Sequence, residues 1–382
     1  MGKYHLTYCA NVYPGESWSE AFIQLKTHLP RVKRAVSPEK KFGVGLYLSD
    51  RASREILAES NLREFKAWLD KEGFYVFTMN GFPYGNFHGE VVKENVYQPD
   101  WTMPKRVEYT QRLFSILAEI LPADVDGGIS TCPVSYGQHF SDSQKKKEEN
   151  IAIACRNFQE IASFLHRLEA MSGKQLHLDI EPEPDCLIEN SEDVLEFFSR
   201  LTDSGNETII RRHIRLCYDT CHFSVEYEAP ETVFTKLAAH DIRIGKIQLS
   251  AAMRADLRIG GTSFKELEKF DEPRYLHQTV KRTATGELKK FRDLSFALAE
   301  NMDAATELRT HFHVPLFLNS YGSLQSTQDD VVKVLKFLQK NHVTNHLEVE
   351  TYTWDVLPPD LKNDLTASIV RELEWVKKNL EG

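Results

Sequence analysis

Polar side chains close a series of strand-like runs in this chain, and that placement limits its fold more than any other feature. The runs are Leu176–Pro184, Ile214–His222, Ile242–Ser250, Leu308–Phe317 and His346–Trp354. Each opens on apolar residues and ends on a carboxylate, an amide or a histidine. Strands that bury their starts and offer oxygen and nitrogen donors at their ends point to a parallel barrel with its site at the C-terminal rim. Carboxylate, carboxylate, histidine or glutamine, carboxylate is also a donor set suited to a divalent cation.

Strand-like and helix-like patterns alternate along nearly the whole chain, the signature of an α/β fold with parallel strands. In the first half, strands are expected at Tyr4–Val12, Phe42–Leu48, Phe74–Asn80 and Gly128–Pro133. The helices between and after them are expected at Ser17–Leu29, Asn61–Lys71, Val107–Leu121 and Ile151–Ala170, with Gly73 and Gly173 as stops. In the second half, strands at Leu176–Ile180, Ile214–Tyr218, Ile242–Leu249 and His346–Thr351 alternate with helices at Ser191–Leu201, Pro230–His240, Thr327–Lys340 and Leu365–Leu380. Leu308–Phe317 is also strand-like, so the count is eight or nine. The expected fold is a (β/α)8 TIM barrel forming one domain over residues 1–382, since no Pro-, Gly- or Ser-rich linker divides it. Residues 251–307 interrupt the alternation after strand seven and are expected to form an insertion or lid.

A net charge of −9 argues against a nucleic-acid partner. No run of about 18 apolar residues marks a membrane span. The six cysteines (Cys9, Cys132, Cys155, Cys186, Cys217, Cys221) lack C-x-x-C spacing. They read as free thiols of a protein expected in the cytoplasm. The Lys145–Lys147 run reads as a solvated loop.

Several residues are candidates for the site. In Asp179-Ile180-Glu181-Pro182-Glu183-Pro184 the prolines end the strand and leave Glu181 at the rim. Alternation places His177, Asp179 and Glu181 on one face, where uncompensated polar groups would be costly. Asp219 follows the next strand, with His222 three residues on. Glu350 is preferred to Glu348 because it is nearer the strand end. The fourth donor stays open: Gln248 has the right place in chain order, but His311 and His313 share a strand face, and His277 lies in the insertion. The loop Asn80–Gly89, followed by Trp101, offers rings suited to walling a sugar-like or cyclic ligand.

In chain order, Glu181, Asp219-x-x-His222, a seventh-strand donor and Glu350 resemble the xylose isomerase-like TIM-barrel superfamily. More narrowly, the stretch Leu6–Trp18, with the loop Asn80–Gly89, Thr310–Pro315 and His346–Pro358, resembles the EboE proteins of a bacterial metabolite-traffic gene cluster. The resemblance covers essentially the whole chain. It implies a divalent metal ion (Mn, Mg, Zn or Co) held by Glu181, Asp219, Gln248, His313 and Glu350. It also implies that Glu181 and Glu350 act as acid/base groups beside a carbonyl, with His222 touching a substrate oxygen. Gln248 stands where the superfamily usually places histidine. The expected activity is isomerisation or epimerisation of a sugar- or polyol-like metabolite, and the alternative is a non-catalytic metabolite carrier on the same barrel. A phosphodiesterase resembling endonuclease IV would need a histidine-rich trinuclear site and a basic DNA groove, and the charge of −9 opposes it.

Overall fold

The computed structural model describes residues 3–58, 60–85, 87–88, 91–140, 143–203, 205–258, 262–302, 304–358 and 364–381. Seven strands come first: β1 (His5–Tyr8), β2 (Phe42–Tyr47), β3 (Phe74–Asn80), β4 (Gly127–Thr131), β5 (Leu176–Ile180), β6 (Ile214–Asp219) and β7 (Ile244–Leu249). Six short strands follow: β8 (Met253–Asp256), β9 (Thr279–Thr283), β10 (Leu288–Phe291), β11 (Ala305–Thr310), β12 (Ser320–Tyr321) and β13 (Leu324–Ser326). The last is β14 (His346–Val349).

Strands β1 to β7 and β14 form one parallel sheet in which neighbours in the chain are neighbours in space. A parallel bridge from Cys9 to Gly45 brings its two edges together, so the eight strands make a TIM barrel. Apolar residues on the helices dictate this arrangement. Helix Asn61–Glu72 buries Phe65 and Leu69, and helix Gln144–Ser172 buries Phe158, Ile161 and Leu165. Both end on glycines in the left-handed region, Gly73 (φ 73°) and Gly173 (φ 69°), where a side chain would be strained. The first long helix, Trp18–Val36, is set by a capping box between Ser17 and Glu20.

Inside the barrel, glycines make room for buried polar side chains. A Cβ on Gly245 would lie 1.9 Å from Asp179 Oδ1, and one on Gly45 would lie 2.1 Å from Glu348 Oε1. At the lower end His177 and His346 meet Asp126, at 3.5 and 3.1 Å, and His177 bonds Asp179 at 2.6 Å. Higher up, fully buried Lys246 bonds Glu348 at 2.6 Å and Ser130 at 3.1 Å. Burial alone would lower the Lys246 pKa, but the Glu348 carboxylate raises it above its ordinary value.

Three expectations change. Leu308–Phe317 does not enter the barrel: its first three residues belong to β11, which pairs antiparallel with β8 and β9. The barrel count is therefore eight. Strands β8 to β13 form a second, antiparallel sheet, so the excursion after strand seven continues to Ser326 rather than ending at residue 307. The residues 259–261 and 303 of that stretch lie outside the described residues. Lys145–Lys147 are not loop but the exposed first turn of helix Gln144–Ser172. No helix among the described residues is long and apolar enough to cross a membrane.

Candidate functional site

Each strand end delivers its polar residue by a local device. Glu181 directly follows β5, where Pro182 and Pro184 prevent the ladder from continuing. Asp219 closes β6 and caps the short helix Thr220–Val225: its Oδ1 accepts from the His222 backbone N–H at 3.0 Å and from Ser250 Oγ at 2.7 Å. The Asp-x-x-His spacing is thus that of an N-cap and the residue it fixes. Glu350 follows β14, and its backbone N–H bonds Leu249 O at 3.1 Å.

These three ends converge. Oxygens of Glu181, Asp219 and Glu350 lie within 4.8 Å of one another, and all three residues are buried. Glu350 Oε1 accepts from Asn11 at 2.9 Å and from Asn80 at 3.0 Å. By contrast, Glu181 Oε2 and Asp219 Oδ2 are buried with no hydrogen-bond partner among the described residues. Burial, and then the neighbouring carboxylates, push the carboxyls of Glu181 and Glu350 well above the usual carboxylate range. Three carboxylates crowded in a low-dielectric pocket repel one another unless a proton or a cation stands among them. The orphaned oxygens and the hard-donor chemistry fit a divalent cation.

A second cluster adjoins the first. His222, His311 and His313 have their ring Nδ1 atoms against carbonyl oxygens: Pro182 O at 2.8 Å, Gln278 Oε1 at 2.7 Å and Glu350 O at 2.6 Å. Carbonyls only accept, so each Nδ1 carries the proton. The Nε2 atoms face one another, His222 to His311 at 3.2 Å and His311 to His313 at 3.3 Å. Burial is the main cause that lowers the His313 pKa to about 4 and puts that of His311 well below its ordinary value. An Asp219 oxygen lies within 4.8 Å of both His222 and His313 donor atoms.

Not every candidate reaches this centre in the same way. Gln248 is buried on the inner face of β7, but its Oε1 accepts from Cys217 Sγ at 3.1 Å, and its Nε2 has no partner among the described residues. His277 has both ring nitrogens occupied, by His311 O at 2.9 Å and Glu272 Oε1 at 2.8 Å, and works as a brace. Glu348 is engaged by Lys246, as above. Trp101 is core, stacked on Phe158 with ring centroids 4.0 Å apart, and is not among the residues that line the cavity beside the carboxylates. Asn86 and Gly89 of the aromatic loop lie outside the described residues. Asn11, Glu183 and Tyr352 also line the cavity and were not singled out from the sequence, whereas Asn80, the first residue of the loop expected to wall a ligand, lines it too. Asn80 is the last residue of β3 and so sits at the same rim.

The cavity above the carboxylates is about 60 Å³. Phe87, Tyr275 and Tyr352 roof it with ring centroids 5.1–5.5 Å apart. The insertion holds the aromatic loop down: the backbone N–H groups of Val92 and Lys93 donate to Arg274 O at 2.8 and 2.9 Å.

No protein-family model matches the chain, and no curated relative was found. Solved structures of similar architecture include three barrels. One is a xylose isomerase-like TIM-barrel protein from Mycobacterium smegmatis in complex with magnesium (11% identity, 98% of each chain, TM-score 0.50). A second is a xylose isomerase domain-containing protein from Salmonella typhimurium (11% identity, 100% of this chain and 98% of that one, TM-score 0.51). The third is the IolI protein with a bound zinc atom (9% identity, 99% and 98%, TM-score 0.50). At these identities the likeness shows the fold alone, a TIM barrel of the kind those three structures have.

Proposed function

We propose that this protein is a metal-dependent isomerase or epimerase acting on a small sugar- or polyol-like metabolite. The observation that carries the reading is the meeting of Glu181, Asp219 and Glu350 at the barrel rim, with two of their oxygens buried and unpartnered. Glu181, Asp219 and Glu350 would hold the divalent cation, with His313 and Gln248 as the further candidates. When bound, that cation would stabilise negative charge developing on the substrate's oxygens. Two similar folds carrying magnesium and zinc support a metal at this rim and leave its identity open.

The protein's own groups supply the proton chemistry. Glu181 and Glu350 stand at the ends of different strands, and burial beside other carboxylates raises both carboxyls above their ordinary range, the direction that suits groups that take and return a proton. One would remove the hydrogen from a carbon next to a carbonyl, and the other would deliver a proton to the opposite face. Asn11 and Asn80 hold Glu350 in place. The roof of Phe87, Tyr275 and Tyr352 would exclude water and present rings to a sugar-like ligand. The resemblance to EboE proteins supports a role in handling a trafficked metabolite.

The test is hydrogen exchange. The metal-loaded protein is incubated with a panel of ketoses, aldoses and cyclic polyol ketones in deuterated water. Deuterium entering a carbon-bound position, abolished by Glu181→Gln or Glu350→Gln, supports the enzyme. Tight binding of a ligand with no exchange makes the protein a carrier and removes the proposed reaction.

A further inference from the structure

We propose a cation site at the end of the barrel opposite the rim carboxylates, formed by Asp126, His177 and His346, that takes zinc or a similar imidazole-binding divalent ion. The three residues stand where strands begin: Asp126 directly precedes β4, His177 is the second residue of β5 and His346 is the first of β14. In the parallel sheet β5 and β14 are separated by β6 and β7, so an ion held here would tie two walls across the lumen. Donor atoms of all three residues lie within 4.8 Å of one another. The site is independent of anything bound at the rim.

The His177 ring is turned toward such an ion. Its Nδ1 lies 2.6 Å from Asp179 Oδ1, and a carboxylate only accepts, so Nδ1 carries the proton. The other nitrogen, Nε2, is buried and makes no hydrogen bond among the described residues, although Asp126 Oδ2 lies 3.5 Å away. A carboxylate behind one imidazole nitrogen, with the other nitrogen bare, is the arrangement that orients histidine toward a metal. Glycines reserve the space for this ring. A Cβ on Gly128 would lie 2.3 Å from His177 Cε1, and one on Gly245 would lie 2.6 Å from its Nδ1.

Asp126 completes the set. Its Oδ1 accepts from His346 Nε2 at 3.1 Å, and its Oδ2 from Arg215 Nη1 at 3.3 Å. Donors at 2.0–2.2 Å from a tetrahedral zinc stand about 3.3 Å apart, which the separations of 3.1 and 3.5 Å from Asp126 to the two imidazoles match. Binding would exchange one hydrogen bond for coordination: the proton on His346 Nε2 passes to Nδ1, which has no partner among the described residues in either tautomer. Arg215 would keep its bond to the ligating carboxylate and so hold it in place. Two carboxylates, Asp126 and Asp179, stand against that one guanidinium. Three protein ligands leave a fourth position open. Asp126 and Arg215 also line an open cavity of about 680 Å³ with Thr344 and Asn345, which gives an ion and its water a way in.

The test is anomalous scattering from crystals of the full chain after chelator stripping, zinc reloading and desalting. A peak between Asp126, His177 and His346 is expected, and this measurement needs no variant to fold. In solution, Asp126→Ala should retain one zinc ion fewer per chain than the wild type. No peak at this end overturns the site, and a peak at the rim in the same map leaves the proposed function standing. A peak at this end with an empty rim upholds the site and counts against the proposed function. An unchanged zinc count in Asp126→Ala, with its circular dichroism matching the wild type, removes Asp126 as a ligand and overturns the site.

Discussion

Asn11 and Glu350 meet at 2.9 Å across the seam where the first and last barrel strands lie side by side. Asn80 donates to the same Glu350 oxygen at 3.0 Å, so the carboxylate is aimed from two sides while Oε2 is left to the cavity. Replacing Asn11 or Asn80 with Leu should weaken cation binding about 10–100-fold without unfolding the barrel. Isothermal titration with zinc or manganese would show it, and unchanged affinity would mean that these amides merely fill space.

Crowding three carboxylates costs the metal-free protein stability. Glu350→Gln should therefore raise the melting temperature of the stripped protein at pH 7 and shrink the further rise produced by added cation. Differential scanning calorimetry with and without metal gives both numbers. A lower melting temperature for the stripped variant would contradict mutual repulsion at the rim.

Lys246 and Glu348 form a fully buried pair. Lys246→Met leaves an unpaired carboxylate in the barrel and should cost roughly 3–5 kcal/mol. Adding Glu348→Leu should return most of that loss. Urea unfolding of the single and double variants tests the coupling, and additive effects would refute it.

Glu372, on the terminal helix Leu365–Glu381, accepts from Leu316 N at 3.0 Å and Thr351 Oγ1 at 2.8 Å. Burial pushes its carboxyl from an ordinary 4.5 up to about 8. Between those values the unfolded chain ionises this group while the fold keeps it protonated. Stability should thus fall as pH rises through that window, by about 1.4 kcal/mol per unit from this residue, and level off above it. Glu372→Gln keeps the acceptor and loses the proton, so its advantage over the wild type should grow from pH 5 to pH 8. Parallel stability curves would refute the assignment.

The barrel was legible because its strands are bounded chemically. Phe74–Asn80 lies between Gly73 and the loop glycine Gly81, and Leu176–Ile180 runs between Gly173 and Pro182; both match β3 and β5 residue for residue. The second sheet was not legible. Its strands are short, β10 exposes Leu288, Lys289 and Lys290, and its pairings join segments far apart in the chain. The period-two spacing of His311 and His313 suggested a strand, yet both lie beyond β11, where Phe312 turns to pack on Phe270 and His277. Cross-strand register was equally invisible, so nothing in the sequence indicated that Cys217 would engage the Gln248 amide oxygen. A hydrogen-bonded network also depends on partners from the insertion, and Gln278 could not be tied to His311 before the fold was known.

The roof over the cavity has a kinetic consequence. Pockets that accommodate small organic ligands usually offer about 300–1,000 Å³, several times the roughly 60 Å³ of this partly open cavity. Room for a hexose-sized guest would come from parting the Val92–Arg274 contact and the three rings above the carboxylates. Under the proposed function, the frequency of that parting would set a ceiling on turnover.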